Sequence, residues 1–293
     1  MTRTRVIAAL VMAPAAIAAI LLLPTPWLAA LAALVMLAGL WEWLRLAGID
    51  DSLPRTVLVG LNLLLMVLLV WASRGDDGFS PALFQIVTLA GALAWVLALL
   101  WLWRPGFTAG DRPWTRAFKL AAGTVAVVPA WCALCLVHSG GFTELAPATA
   151  AIDAIDASGH RWLLAALALV WAADSGAYFA GRRFGRHKLA PTISPNKTIE
   201  GAIGGLVAGV AVALAFGAFA GATLAQLPLL ALVAAATVLA SIVGDLVESL
   251  LKRQAGAKDS GTLIPGHGGV LDRIDGVLAA LPVFAIGKEM LGF

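Results

Sequence analysis

Charge is scarce in this sequence. Asp, Glu, Lys and Arg make up 13% of its 293 residues, where a soluble globular domain carries roughly 25%. There is one tyrosine, and there are four histidines and two cysteines. Cys132 and Cys135 stand as C-x-x-C, but their flanks are apolar and no second ligand pair follows. That excludes a zinc or disulfide framework and leaves two small apolar packing residues. Short segments of alternating polarity are also missing, which excludes a transmembrane β-barrel. No internal repeat is convincing, which argues against a transporter built from duplicated halves.

What fills the chain is hydrocarbon. Hydrophobic residues reach 61% and the mean hydropathy is +0.92. Successive apolar runs approach the ~20 residues that cross a bilayer. They predict helices near 6–23, 27–46, 55–72, 80–103, 118–138, 161–181, 201–222, 226–250 and 275–291. The first run follows Arg3 and Arg5 as a signal peptide would, but it lacks a small-residue cleavage site and reads as a retained helix. Trp27, Trp41, Trp43, Trp71, Trp101, Trp103 and Trp162 fall toward span ends, as an interfacial belt predicts. Glu42, between Trp41 and Trp43 and three residues before Arg45, reads as an interfacial ion pair. Gly201, Gly205 and Gly209 form a small-residue stripe for close helix packing, within the chain or across a dimer.

The expected fold is therefore an all-α integral membrane protein of about nine transmembrane helices. Placing the N-terminus in the cytoplasm leaves only Arg74, Arg161 and Lys288 outside, three of the twenty Lys and Arg residues. This positive-inside bias puts the C-terminus outside. The segment between residues 139 and 160, with Glu144, Asp153 and Asp156, reads as an outer solvated connector. The net charge of +3 calls for no nucleic-acid partner, because cytoplasmic loops face an anionic leaflet. Two regions are expected: residues 1–115 with about four structural, dimer-forming or lipid-facing helices, and residues 116–293 with about five helices carrying the chemistry.

Three charged clusters fall on the cytoplasmic side. Asp174 lies inside an apolar run, with Tyr178 one turn later and Arg182, Arg183 and Arg186 beyond it among glycines. The arginines read equally well as a positive-inside anchor. The second cluster, Ser194-Pro195-Asn196-Lys197-Thr198-Ile199-Glu200-Gly201, opens a helix. Thr198 or Asn196 suits the cap, and the helix start with Lys197 offers an anion site. The third is the densest. Asp245 and Glu248 are three apart, Lys252 is four beyond Glu248, and Asp272 and Asp275 repeat the i,i+3 spacing. Between them lie Lys258, Asp259, and a Gly-rich run through His267, Gly268 and Gly269. Charge at membrane depth is costly and points to function by default. Carboxylates from two helix ends beside several cations suit a magnesium ion carrying phosphate oxygens. His267 has no neighbouring ligands for zinc.

Ser249-Leu-Leu-Lys252-Arg253, Lys258-Asp259 and Pro265-Gly-His267-Gly268-Gly269-Val-Leu-Asp272-Arg273-Ile-Asp275 together resemble the signature of the phosphatidate cytidylyltransferases, the CDP-diacylglycerol synthases. The Asp174–Gly181 and Ser194–Gly201 segments resemble that family as well, whereas the first 115 residues match in hydropathy alone. The resemblance implies CTP and phosphatidate as substrates, CDP-diacylglycerol and pyrophosphate as products, and Mg2+ dependence. It also implies a second, monovalent cation such as K+, a homodimer, and a site opening to the cytosol and inner leaflet of a bacterial membrane.

On that basis Asp245 and Asp272 are expected to bind Mg2+, with Asp275 a further ligand or an orienter of Arg273. Lys252, Arg253, Lys258 and Arg273 would hold the triphosphate and departing pyrophosphate, with Asp259 beside them. His267, Gly268 and Gly269 would supply donors and close backbone approach. Lys197, with Ser194, Asn196 and Thr198 around it and Asp174 nearby, would meet the lipid phosphate, and Ser249 would hydrogen-bond in the site. Two rivals are a CTP-dependent kinase of a polyprenol or similar lipid alcohol and a secondary transporter binding coupling ions at Asp174, Asp245 and Glu248. The first would release CDP instead of pyrophosphate, and the second would show a site near mid-membrane.

Overall fold

Backbone polar groups in lipid must be satisfied within the segment, so long apolar runs close into helices. The computed structural model, described over residues 13–75, 78–110, 112–140, 157–263 and 268–292, follows that rule. Its helices are α1 (Ala13–Leu22), α2 (Thr25–Leu46), α3 (Ser52–Ala72), α4 (Ala82–Trp103), α5 (Pro113–His138), α6 (Ala157–Phe184), α7 (Ile199–Ala220), α8 (Leu227–Gln254) and α9 (Leu271–Leu291). Seven of them, α2 through α8, are long and apolar enough to cross a membrane, which makes this a multi-pass membrane protein. Among the described residues α1 is short. α9 is long enough but opens on Asp272, Arg273 and Asp275, which lower its hydropathy. Arg3, Arg5, Glu144, Asp153, Asp156 and His267 lie outside the described residues.

Hydropathy did not reveal two short antiparallel hairpins. β1 (Arg74–Gly75) pairs with β2 (Gly78–Phe79), between α3 and α4. β3 (Lys188–Ala190) pairs with β4 (Ser194–Thr198), with Lys188 opposite Thr198 and Ala190 opposite Ser194. The second replaces the expected helical opening around Ser194, and helix begins only at Ile199.

One buried core runs from Ile20 to Ala285 and includes residues of α2, α4, α5, α6, α8 and α9. Indole N–H groups stitch its helices together. Trp131 of α5 donates to Ala29 O of α2 at 2.8 Å, and Trp95 of α4 donates to Leu278 O of α9 at 3.1 Å. Trp43 of α2 donates to Lys119 O of α5 at 2.8 Å. The expected aromatic belt is thus only partly present. Trp27, Trp71 and Trp103 are exposed, whereas Trp43, Trp101 and Trp162 are buried. An indole at a helix end can satisfy its N–H on a neighbouring helix as well as at the lipid interface.

The Gly stripe of α7 packs within the chain. A Cβ on Gly205 would lie 2.7 Å from Ala173 O of α6, and one on Gly209 would lie 2.6 Å from a Val238 methyl of α8. Cys132 and Cys135 are free thiols buried in α5, as small packing residues.

Helix ends gather at the two poles of the bundle. At one, His138 bonds Ile20 O at 2.9 Å, Arg161 donates to Phe219 O, and Lys288 sits over the Trp162 ring. At the other, Arg45 donates to Ser260 O, Gln254 to Pro105 O, and Arg253 to Ile193 O. The charged clusters all belong to this second pole.

Candidate active site

Helix α8 presents Asp245, Glu248 and Lys252 along one face because three- and four-residue steps return to the same side. Helix α9 meets that face closely. A Cβ on Gly244 would collide with Asp275 O, and one on Gly276 would lie 2.5 Å from Ser241 Oγ. Glycine at this crossing brings the two acidic helix ends together. One oxygen from each of Asp245, Glu248 and Asp275 lies within 4.8 Å of the other two. Glu248 is buried, and its Oε1 has no hydrogen-bond partner among the described residues. Three hard oxygen donors, one of them unsatisfied, fit a divalent cation such as Mg2+ or Ca2+.

Two lysines flank the acids. Lys197 of β4 pairs with Asp245, and Lys252 pairs with both Glu248 and Asp272. Ser249 lies 3.4 Å from Asp245 Oδ1. Asp272 borders the three-carboxylate group, meeting Glu248 and sharing Lys252 with it. Its Oδ1 accepts from Lys252 Nζ at 2.8 Å, and its Oδ2 accepts from the N–H of Gly269 at 2.8 Å and of Ser260 at 3.1 Å. Gly268 adopts φ +84°, which aims the following N–H at that carboxylate.

Beside the acids a cavity of about 580 Å³ opens between α6, α7, α8 and β4. Asp174, Ser194, Asn196, Lys197, Thr198 and Asp245 all line it, with Tyr178 and Arg182. The fold therefore joins the second charged cluster and Asp174 to the third. Thr198 caps α7, accepting from Gly201 N–H at 3.1 Å. Glu200 turns the other way, onto His187 Nδ1 at 2.6 Å and the N–H of Arg186 at 3.1 Å. It anchors the β3–β4 hairpin to α7 and does not accompany Lys197.

Other expected residues are placed less directly. Arg253 donates to Ile193 O at 3.3 Å, bracing the hairpin. Lys258, Asp259 and Arg273 are exposed on the α8–α9 connection and the first turn of α9. Residues that sequence reasoning left out of the site are also in place. Glu248 is one of the three close carboxylates, and its i,i+3 spacing from Asp245 was the available signal. Glu42 has no ion pair with Arg45 among the described residues. Its Oε2 accepts from Ser260 Oγ and from Leu271 N–H, both at 2.9 Å, while Arg45 donates to Ser260 O at 2.6 Å. The nearer ion-pair partner lost to a loop that only the tertiary fold brings over α2.

The model of the cytidylyltransferase family matches residues 3–291. A Pseudomonas aeruginosa protein named phosphatidate cytidylyltransferase is 40% identical over 285 residues, covering 97% of this chain and 96% of that protein. A Haemophilus influenzae protein of the same name is 36% identical over 296 residues, covering 97% and 98%. A Staphylococcus epidermidis protein, again of that name, is 47% identical over 128 residues, 44% of this chain and 49% of its own length. With the match spanning nearly every residue and both ends of the acidic site, the chain belongs to the cytidylyltransferase family.

Proposed function

We propose that this protein transfers the cytidylyl group of CTP to phosphatidate, giving CDP-diacylglycerol and pyrophosphate. The observation that carries the reading is the group of Asp245, Glu248 and Asp275, flanked by Lys197 and Lys252, beside a cavity that Asp245 and Lys197 line at one pole of an apolar bundle. A water-soluble nucleotide and a lipid phosphate can meet at such a place. The names carried by the P. aeruginosa and H. influenzae relatives support the substrate pair.

In this reading Asp245, Glu248 and Asp275 hold a magnesium ion, with Asp272, beside Glu248, as the further ligand expected from the sequence. The ion would supply charge neutralisation on the phosphate oxygens. A monovalent cation such as K+ belongs to the same proposal. Lys197 receives the phosphate of phosphatidate, with Ser194, Asn196, Thr198 and Asp174 shaping the cavity around it. Lys252, Arg253, Lys258 and Arg273 receive the triphosphate, with Asp259, His267, Gly268 and Gly269 ordering the loop and offering donors. Ser249 steadies Asp245.

The lipid phosphate is an anion at neutral pH and needs no strong base. One of its oxygens forms a bond to the α-phosphorus of CTP, the bond from that phosphorus to the bridging oxygen breaks, and pyrophosphate leaves with the electron pair. Positioning and offset of charge account for such a transfer.

The distribution of Lys and Arg supports a cytosolic orientation of the site in a bacterial inner membrane, with the C-terminus outside. Residues 116–293 carry the chemistry and residues 1–115 brace it. A homodimer belongs to the same reading, and the largely exposed apolar faces of α3 and α4 leave room for a second copy or for lipid. The deciding assay supplies purified protein with CTP and phosphatidate, with and without Mg2+. CDP-diacylglycerol and pyrophosphate are expected only with the metal. Release of CDP with phosphorylation of a lipid alcohol would replace this reading with a lipid kinase.

A further inference from the structure

Glu42 is the one charged residue among the buried positions of α2, which are otherwise Thr25 and Ala, Leu, Trp, Met and Gly, and it is 2% exposed. Burial of a carboxylate without compensation is expensive, so its partners are informative. A single oxygen, Oε2, accepts from Ser260 Oγ and from the N–H of Leu271, the first residue of α9. The helix start needs such an acceptor, because its first N–H groups have no partner within the helix. Two glycines make way for it. A Cβ on Gly261 would overlap the Glu42 carboxylate from one side, and a Cβ on Gly269 would overlap Oε2 and Ser260 Oγ from another.

Ser260 carries the contact onward. Its N–H donates to both oxygens of Asp272, and its Oγ accepts from Asp272 N–H at 3.3 Å. Asp272 holds Lys252, and Lys252 holds Glu248. An unbroken series of contacts thus runs from α2 through the α8–α9 connection to the carboxylate group. Arg45, one turn after Glu42, grips the same serine by its carbonyl.

We infer that Glu42 is a positioning residue for this site: it fixes the connection between α8 and α9, and through Ser260 it sets Asp272 and Lys252 for the nucleotide. Its role lies in accepting two hydrogen bonds at one oxygen, and its charge is not required. The kinetic consequence rests on the cytidylyltransferase reading; the structural one does not.

The full-length protein in detergent, as wild type, Glu42→Gln, Glu42→Asp and Gly261→Ala, provides the test. Glutamine keeps one oxygen at the Oε2 position, and its amide replaces Oε1, which has no hydrogen-bond partner among the described residues. Aspartate is too short to reach both donors. Gly261→Ala leaves Glu42 in place but crowds its carboxylate, at a backbone position without positive φ. Outer-sphere partners of a metal or phosphate site are worth about 10–100-fold. Glu42→Gln should stay within about threefold of wild type in kcat and in KM for CTP. Glu42→Asp and Gly261→Ala should lose about tenfold or more in kcat/KM for CTP while KM for phosphatidate stays within about twofold. In those two variants the amides of Ser260 and Leu271 should exchange with deuterium about tenfold faster than in wild type.

Equal damage from Glu42→Gln and Glu42→Asp would overturn the inference, since the charge itself would then matter. Unchanged amide exchange in both Glu42→Asp and Gly261→Ala would overturn it too, as would equal loss toward both substrates. If wild type makes no CDP-diacylglycerol, the functional reading fails, and amide exchange still decides whether Glu42 holds the connection.

Discussion

Lys252 Nζ lies 2.8 Å from Asp272 Oδ1, and this contact joins the last turn of α8 to the first turn of α9. The same ammonium pairs with Glu248. One lysine therefore couples the buried acid of one helix to the helix-opening acid of the next, and the site depends on both helices holding their mutual position.

Neutralising either end of that arrangement should stop the reaction without unfolding the bundle. Asp245→Asn and Asp272→Asn are each expected to lower CDP-diacylglycerol formation about 100-fold or more, as loss of a group that offsets developing charge does. Membrane insertion and elution as a single species should persist. Near-normal turnover in Asp245→Asn would remove it from the metal set.

Lys197 separates the two substrates. It pairs with Asp245 from β4 and lines the cavity, whereas Lys252 pairs with Glu248 and Asp272. Lys197→Ala should raise KM for phosphatidate about tenfold, the value of a charge-assisted contact, and leave KM for CTP within about twofold. Initial rates over a matrix of both substrates measure the split, and a change confined to CTP would move Lys197 to the nucleotide.

Metal removal offers an independent check on the carboxylate group. Chelation of divalent ions should abolish turnover, and Mg2+ should restore it while K+ alone should not. Glu248→Gln, which leaves two of the three close carboxylates, should need about tenfold more Mg2+ for half-maximal rate. Magnesium titrations of both proteins give the comparison.

The helix crossing should matter for stability as much as for chemistry. Gly244→Val places side-chain atoms where Asp275 O now sits, and overpacking of this kind costs about 1–3 kcal/mol. Thermal unfolding in detergent should fall by several degrees, and turnover should fall further than stability because Asp275 moves with the backbone. An unchanged melting temperature would mean that α9 can retreat freely.

Trp95 tests the tie between the N-terminal helices and α9. Trp95→Phe keeps a ring in the core but removes the donor to Leu278 O. A cost of about 1 kcal/mol is expected for a buried neutral bond, read in the same unfolding assay, with KM values unchanged.

Much of this protein was legible without its fold. Uninterrupted apolar length predicted spanning helices, and seven helices of the described residues meet that standard. The concentration of acid, cation and glycine after Asp245 predicted a site, because such groups are too costly in a membrane to stand there idly. The i,i+3 and i,i+4 spacings put Asp245, Glu248 and Lys252 on one face, since helical periodicity is a property of local sequence.

Contacts between segments were not legible, because periodicity says which way a residue faces along its own helix and nothing about what another helix brings there. Packing at Gly244 chose Asp275 as the acid that meets Asp245 and Glu248, and turned Asp272 toward Lys252 and the loop. The β3–β4 hairpin carried Lys197 to Asp245 and left Glu200 with His187. Glu42 looked like the partner of Arg45 three residues along the chain. In the fold both residues reach instead for Ser260, whose hydroxyl donates to Glu42 and whose carbonyl accepts from Arg45. The sequence by itself determined the membrane class and the polar inventory of the site, and tertiary packing alone decided which of those groups touch.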